Sequence, residues 1–461
     1  MNNKKNIILE EYENEFSYKK SKTNLDIQFN RIAFIFFVFL MISVIYSIQL
    51  LHLGSLKAED SKKFLTVNKN HRADILDRNG NYLVKTVKSI DIGINPIEVI
   101  DKKKLLINLQ LIFPNKNYAE VSKKLEKNKF FYFEKKISSD NYEKIMLLGD
   151  KSIKSEEKLT RIYPQKNLFS HIIGQIDDDN KGISGLEKSF NEKLKQTNEP
   201  LKLTVDTDIQ FLIREELVKF QSIFRSKGST AILMNVNNGE IISMVSYPDF
   251  DLNKREKIVD LNFINRATKG VYELGSVFKT FTVAAGLEEG LIDTDTEFLN
   301  LEKRLQCGKS SISEYDNKIP SDLTVEQILI RSGNIGSVRI GQKLEIIKLK
   351  AFLEKIGILS KINFDIEEVG EPIPFKWGKC KLATVSFGHG ITTTPLQLAK
   401  AYAIISNGGF AVEPSLIKNE LKNYQEKKRI IKAGISEKIN PILRKIVTTK
   451  EGPAGFVNSD G

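Results

Sequence analysis

Cysteine and histidine are scarce in this chain of 461 residues: two cysteines, Cys307 and Cys380, and four histidines, His52, His71, His171 and His389. The cysteines form no Cys-x-x-Cys pair and no histidine lies at ligand spacing from another, so the pattern argues against a metal enzyme, and no cofactor is expected. A phosphate loop is missing too. Gly308-Lys309-Ser310 resembles its end, but the glycine required five positions earlier is Lys303, which removes nucleotide binding. Acidic residues are outnumbered, 58 against 70 lysines and arginines, giving +12. That excess could meet an anionic partner. Because the lysines are spread over the whole chain and often stand beside glutamates, it reads instead as a solvated surface, with no nucleic-acid partner expected.

What is present begins with an apolar run from Ile32 to Ile48, extended by Leu50 and Leu51. About 20 residues at 1.5 Å each match a hydrocarbon core of about 30 Å, so the run reads as a membrane span over 30–52. A cleaved signal peptide competes, but the long charged segment before it and the lack of a small-x-small site after it favour an uncleaved anchor. Lys19, Lys20, Lys22 and Arg31 precede it, which keeps residues 1–29 as a flexible cytoplasmic tail and sends the remainder across the membrane. An extracytoplasmic setting permits Cys307 and Cys380 to pair, although free thiols remain an equal alternative.

Residues 53–203 mix short strand-like and helix-like pieces, with an Asn79-Gly80 turn between apolar stretches, as in a hairpin. Ser139-Asp140-Asn141 spells an active-site triplet but lies in a charged segment ahead of any nucleophile and is taken as a decoy. From Asp206 the pattern changes. Thr207-Asp208-Ile209-Gln210 reads as a capping box before a helix with Leu212, Ile213 and Leu217 on one face. Thr230, Ile232, Met234 and Val236 alternate along a strand, Asn237-Asn238-Gly239 turns, and Glu240 to Ser246 returns, a hairpin expected to back the helix described next.

The chain is organised around Gly275-Ser276-Val277-Phe278-Lys279, which runs into an almost wholly apolar helix closed by Glu288, Glu289 and Gly290. At i, i+3 spacing Ser276 and Lys279 share one face of the first turn, so the amine can reach the hydroxyl. Burial lowers a lysine pKa, and the neutral amine could then take the serine proton. Ser-x-x-Lys also occurs at Ser17, Ser155 and Ser415, in polar or loop contexts; an ordinary helix N-terminus is the competing reading at Ser276. Farther on, a helix over 324–330 delivers Arg331-Ser332-Gly333-Asn334. There Ser332 could relay a proton and the Asn334 amide could hold a substrate carbonyl, against a plain loop turn. Thr394-Pro395-Leu396-Gln397 is a second capping box, with Leu398, Ala399, Tyr402 and Ile405 facing inward. His389, between Gly388 and Gly390, is either catalytic or a consequence of close backbone packing.

Together these stretches resemble the class B penicillin-binding proteins, membrane-anchored peptidoglycan D,D-transpeptidases built on Ser-x-x-Lys, Ser-x-Asn and Lys-Thr-Gly motifs. Arg72-Ala73-Asp74-Ile75-Leu76-Asp77-Arg78-Asn79-Gly80 looks like the family's pedestal signature, Gly182-Ile183-Ser184-Gly185-Leu186-Glu187 like a later landmark, and the block from Gly388 to Ala399 like another; the wording is most like the cell-division (septal) branch. The resemblance implies an α/β (α+β) fold: a single transmembrane helix, a mixed α/β pedestal over 53–203, and a transpeptidase domain with antiparallel sheet and helices over 204–461, C-terminally incomplete. It implies Ser276 as nucleophile, Lys279 as base, and Ser332 with Asn334 completing the proton route and substrate grip. The substrate would be D-Ala-D-Ala stem peptides. β-Lactams would acylate the same serine, and the inner membrane and division proteins, including a glycosyltransferase, would be partners.

No Lys-Thr-Gly or Lys-Ser-Gly occurs in the 461 residues. In the family the third motif falls a few residues beyond Gly461, and the strands after it cover the nucleophile helix. The expectation is therefore a fragment of an active parent, inactive or unstable because the apolar face of that helix would meet water. A catalytically dead membrane-anchored division scaffold is the alternative; a β-lactamase or β-lactam sensor is disfavoured by the long pedestal.

Overall fold

The computed structural model describes residues 24–55, 71–254, 261–419, 428–449 and 451–454 and divides into two units, 1–68 and 69–461. In the first, helix α1 spans Asn24–Ser55, and its stretch Arg31–Leu51 is long and apolar enough to cross a membrane. Residues 31–51 are exposed throughout, which hydrocarbon tolerates and water does not. Residues 24–29, expected as flexible tail, are helical, as are 53–55, expected in the pedestal; residues 1–23 lie outside the described ones.

The second unit opens with the expected hairpin. β1 (Ile75–Leu76) pairs antiparallel with β2 (Tyr82–Ile94) across a turn in which the Asp77 carboxylate accepts the N–H groups of Asn79 and Asn81 and Gly80 takes φ +91°. Helices α2 (Lys102–Ile112), α3 (Tyr118–Glu126) and α4 (Ser139–Met146) are capped by the Asp101, Asn117 and Ser138 side chains. With Ile92, Ile94, Leu105, Leu109, Leu125 and Ile145 buried between them and β2, they form a small core. Ser139-Asp140-Asn141 is the first turn of α4, an ordinary capped helix start. The long β2 pairs with both β3 (Phe131–Ile137) and β4 (Ile153–Ile162), while β1 pairs in parallel with β5 (Leu201–Lys202).

Three short helices follow β4: α5 (Ser170–Ile173), α6 (Gly185–Ser189) and α7 (Asn191–Gln196). Glu187 on α6 is fully buried between two guanidiniums, Arg72 at 2.5 Å and Arg161 of β4 at 3.0 Å. Arg72 also donates to the Glu187 carbonyl and Asn191 Oδ1, and Arg161 to the carbonyls of Arg72 and Ala73 and to Thr86 Oγ1. The two pedestal landmarks of the sequence thus meet in one buried ion cluster, which Arg161 of β4 completes.

Helix α8 (Thr207–Phe224) corrects the first capping box. Its cap is Asp206, whose carboxylate accepts the N–H groups of Asp208 and Ile209. Thr207 already lies inside the helix. Gln210 is buried, donating to the carbonyls of Leu168 and Met244 and accepting from Ser243 Oγ and Met244 N–H, so it clamps a strand instead of closing a box. Of the residues expected on one face, Leu212 is exposed while Ile213 and Leu217 are half-buried; Phe211, Phe220, Ile223 and Phe224 are exposed too. The hairpin of β6 (Ser229–Met234) and β7 (Ile241–Tyr247) forms as expected. It lies against α8, and β7 supplies Ile241 and Met244 to a core shared with Ala73, Ile75, Leu83 and Leu186.

The largest core surrounds α9 (Lys279–Glu288). After it come the paired strands β8 (Glu297–Phe298) and β11 (Leu323–Thr324), which flank a hairpin of β9 (Arg304–Cys307) and β10 (Ser310–Ser313). Then follow α10 (Val325–Ile330), α11 (Asn334–Lys355, interrupted at Glu345), α12 (Lys379–Val385), α13 (Pro395–Ser406) and α14 (Ala433–Thr448). The capping box at Thr394 and Gln397 forms as expected, and an unanticipated one at Thr324 and Gln327 opens α10. On α13 Ile405 is fully buried, whereas Leu398, Ala399 and Tyr402 are half-buried; the main inward residues are Leu396, Ala401, Ala403 and Ile404.

The hairpin does not back α9 as expected; α10, α11 and α14 do, and β6 reaches this core through Met234. Nor does the apolar face of α9 meet water. Every residue from Lys279 to Leu287 is buried, and the exposed apolar patch sits on α8 instead.

Candidate active site

The site is built where the start of α9 meets the end of α10. Gly275, at φ +66°, turns the chain into a single 3₁₀ turn, Gly275–Phe278, and the α-helix proper begins at Lys279. A 3₁₀ turn eclipses residues i and i+3, so Ser276 and Lys279 share a face more closely than the α-helical first turn expected from sequence. Ser276 is exposed; Lys279 is 1% exposed. At its far end α9 closes with Gly290 at φ +65°, its N–H donating to Leu287 O and that of Leu291 to Gly286 O.

The Lys279 amine is turned toward the second motif. Nζ donates to Ser332 O at 2.5 Å and to Ser332 Oγ at 2.9 Å; among the described residues no hydrogen bond joins it to Ser276. Burial pushes its pKa down from 10.5 to about 8, and the negative charge of Glu314 works in the opposite direction. An amine in this setting is partly neutral near physiological pH and can accept a proton.

Ser332 is held in an unusual backbone state. The last turn of α10 ends with Ser332 N–H on Leu329 O and Gly333 N–H on Ile328 O, a termination that places its middle residue in the left-handed region and normally uses glycine. Here that residue is Ser332, at φ +53°. A non-glycine residue pays about 1–2 kcal/mol for this conformation, and in return its hydroxyl lies on the lysine. Asn334 starts α11; its Nδ2 donates to Ser313 O at 2.9 Å, and its N–H and that of Ile335 donate to the Glu314 carboxylate at 2.6 and 2.9 Å.

The Gly388-His389-Gly390 loop after α12 packs against the turn that carries Ser276. Gly388 has φ +88°, and a Cβ there would lie 1.9 Å from Gly275 O, so the glycine is what allows this loop to touch the turn carrying Ser276. Tyr272 and Thr393 exchange both backbone hydrogen bonds at 3.0 Å beside it. His389 is exposed, with Nδ1 3.2 Å from Glu273. Tyr402 on α13 donates to Val277 O at 2.8 Å and Thr280 Oγ1 at 3.0 Å, pinning the turn from below.

The structure therefore bonds Lys279 to Ser332, with Ser276 one 3₁₀ turn before the lysine and Asn334 two residues after that serine, at the start of α11. The other Ser-x-x-Lys copies in the described residues are elsewhere: Ser155 on the exposed β4, and Ser415 bonded to Asp365. Cys307 and Cys380 form a disulfide that ties the β9–β10 hairpin to α12. Sequence reasoning missed Glu314; nothing in its spacing marks it, and only the bare glycine at Gly333 before a long helix hints that a cap must come from elsewhere.

A buried lysine one turn after an exposed serine, bonded to the serine of a Ser-x-Asn turn, makes a candidate nucleophile–base pair. The chain belongs to the penicillin-binding protein transpeptidase domain family, whose model matches residues 229–461, with a penicillin-binding protein dimerisation domain matching 68–219. It is 29% identical over 390 residues to a probable peptidoglycan D,D-transpeptidase FtsI of Caulobacter vibrioides, covering 83% of this chain and 66% of that protein. It is 27% identical over 431 residues to the stage V sporulation protein D of Bacillus subtilis (84% and 67%) and 26% identical over 377 residues to the peptidoglycan D,D-transpeptidase FtsI of Escherichia coli K12 (73% and 63%). The matches thus span about two thirds of the length of these relatives.

Proposed function

We propose that this protein is a membrane-anchored septal peptidoglycan D,D-transpeptidase that cross-links stem peptides through an acyl-serine intermediate. Ser276 Oγ attacks the carbonyl carbon between the two terminal D-alanines of a stem peptide, and its proton passes to Lys279. With Ser332 relaying, that proton goes to the amine of the departing D-alanine, leaving an ester on Ser276. The amine of a neighbouring stem peptide then attacks the ester, forming the cross-link and restoring the serine. Asn334 grips the substrate amide, and β-lactams open on the same hydroxyl. The apolar stretch 31–51 anchors the chain in the inner membrane with a short cytoplasmic N-terminus, the rest lying in the periplasm beside division proteins that include a glycosyltransferase.

The observation that carries this reading is the Lys279 amine. It is buried, bonded to neutral oxygens of Ser332 and lowered to about 8, one 3₁₀ turn from an exposed serine. The test is covalent capture of a fluorescent penicillin by the full-length gene product. Capture is expected in the wild type and absent in Ser276→Ala; label retained in Ser276→Ala contradicts the reading, and a wild type that captures nothing yet supports septum formation favours a scaffold.

A further inference from the structure

The turn that presents Ser332 is held from outside its own helices. Residues 313–315, at and just past the end of β10, bind both of its flanks: Tyr315 OH donates to Arg331 O at 3.1 Å, Ser313 O accepts Asn334 Nδ2 at 2.9 Å, and the Glu314 carboxylate accepts the N–H groups of Asn334 and Ile335. Gly333, at the cap position of the 22-residue α11, has no side chain to do this, so Glu314 supplies the cap from a strand end. The other end of the β9–β10 hairpin, where Cys307 pairs with Ser310, is tied to α12 by the Cys307–Cys380 disulfide. Ser332 at φ +53° has no glycine-like freedom, and a conformation of this kind persists only where its surroundings enforce it.

We propose that Glu314 is a positioning residue of the acyl-transfer site, fixing Ser332 and Asn334 against Lys279 and setting a negative charge beside that amine. The proposal rests on the roles of Ser276 and Lys279 given above. Among the described residues, Glu314 is the charge that acts on the buried amine. Other ionisable groups on the surrounding elements are engaged elsewhere: Arg331 with Glu451 at 3.0 Å, Tyr402 with Val277 O and Thr280, Lys381 with Gly390 O, and His389 with Glu273 at the rim. A helix cap alone would matter to folding; a cap whose charge faces the base also sets the pH at which the base works.

Two variants of the full-length product separate these roles. Glu314→Gln keeps an acceptor for one N–H and removes the charge, so the Lys279 titration followed by NMR of ¹³C-labelled lysine is expected to move to lower pH by about half a unit or more. The acid limb of penicillin capture should move with it. Glu314→Ala is expected to lose about tenfold or more in capture rate at the plateau. An unshifted Lys279 titration in a folded Glu314→Gln protein overturns the proposal, as does a wild-type plateau in Glu314→Ala. Should the wild type capture no penicillin, the roles of Ser276 and Lys279 fail, while the Lys279 titration still decides the case for Glu314.

Discussion

Two regions of this molecule bury positive charge, and they do so in opposite ways. Between β1 and α6 the guanidiniums of Arg72 and Arg161 close on the carboxylate of Glu187, with nearly every remaining donor on a carbonyl, hydroxyl or side-chain oxygen. At the start of α9 the Lys279 amine is buried to the same degree, and among the described residues no carboxylate is bonded to it. A guanidinium cannot shed its proton, so the first cluster must carry its own counter-charge and serves as a strut. An amine can shed its proton, and leaving it unpaired turns burial into a base. What a buried cation does is set by what is placed opposite it.

The largest effect should come from breaking the paired region. Glu187→Ala strands two buried guanidiniums and is expected to cost about 3–5 kcal/mol, read as a collapse of the denaturant midpoint. Lys279→Met tests the other side. It should leave stability at pH 7 equal or higher while cutting penicillin capture by the full-length product about 10²- to 10⁴-fold. The pH dependence sharpens the contrast. Because Lys279 titrates at about 8 in the fold and 10.5 unfolded, the unfolded chain binds the extra proton between those values. Stability should therefore rise from about pH 8 toward 10.5, by up to about 3 kcal/mol, with no such rise in Lys279→Met.

The smallest expected effect belongs to a third buried base. His171 hydrogen-bonds the Asn262 carbonyl through Nε2 at 2.8 Å, and burial depresses it to about 4. The unfolded chain gains its proton first as pH falls, so stability should drop below about pH 6.5, by roughly 1 kcal/mol at pH 5.5, and His171→Gln should flatten that slope.

Much of this contrast was legible in the sequence, and the rest failed for identifiable reasons. A lysine in an apolar helix one turn after Gly275-Ser276 is a local pattern, and the structure keeps it, though as a 3₁₀ turn. The Thr394 capping box and the Asn79-Gly80 hairpin are equally local. The reading at Thr207 slipped by one residue because Asp206 caps as well as threonine does, and Gln210 was claimed by β7, a tertiary demand no window of the sequence displays. Leu212, Ile213 and Leu217 were placed on one face from periodicity alone, yet α8 exposes Leu212 and half-buries the other two. Arg72 and Glu187 were both noticed, but their contact spans 115 residues and could not be inferred from either stretch. Glu314 and the Cys307–Cys380 bond were invisible or undecided for the same reason: each joins elements that only the assembled fold brings together.

The central claim is that Lys279 is buried with no carboxylate bonded to its amine among the described residues and is thereby made a base. NMR titration of the ¹³C-labelled lysine ε-carbons of the protein in detergent, with the Lys279 signal assigned by its loss in Lys279→Met, measures this directly. A midpoint near pH 8 is predicted; a midpoint near the ordinary lysine value of 10.5 would contradict the account.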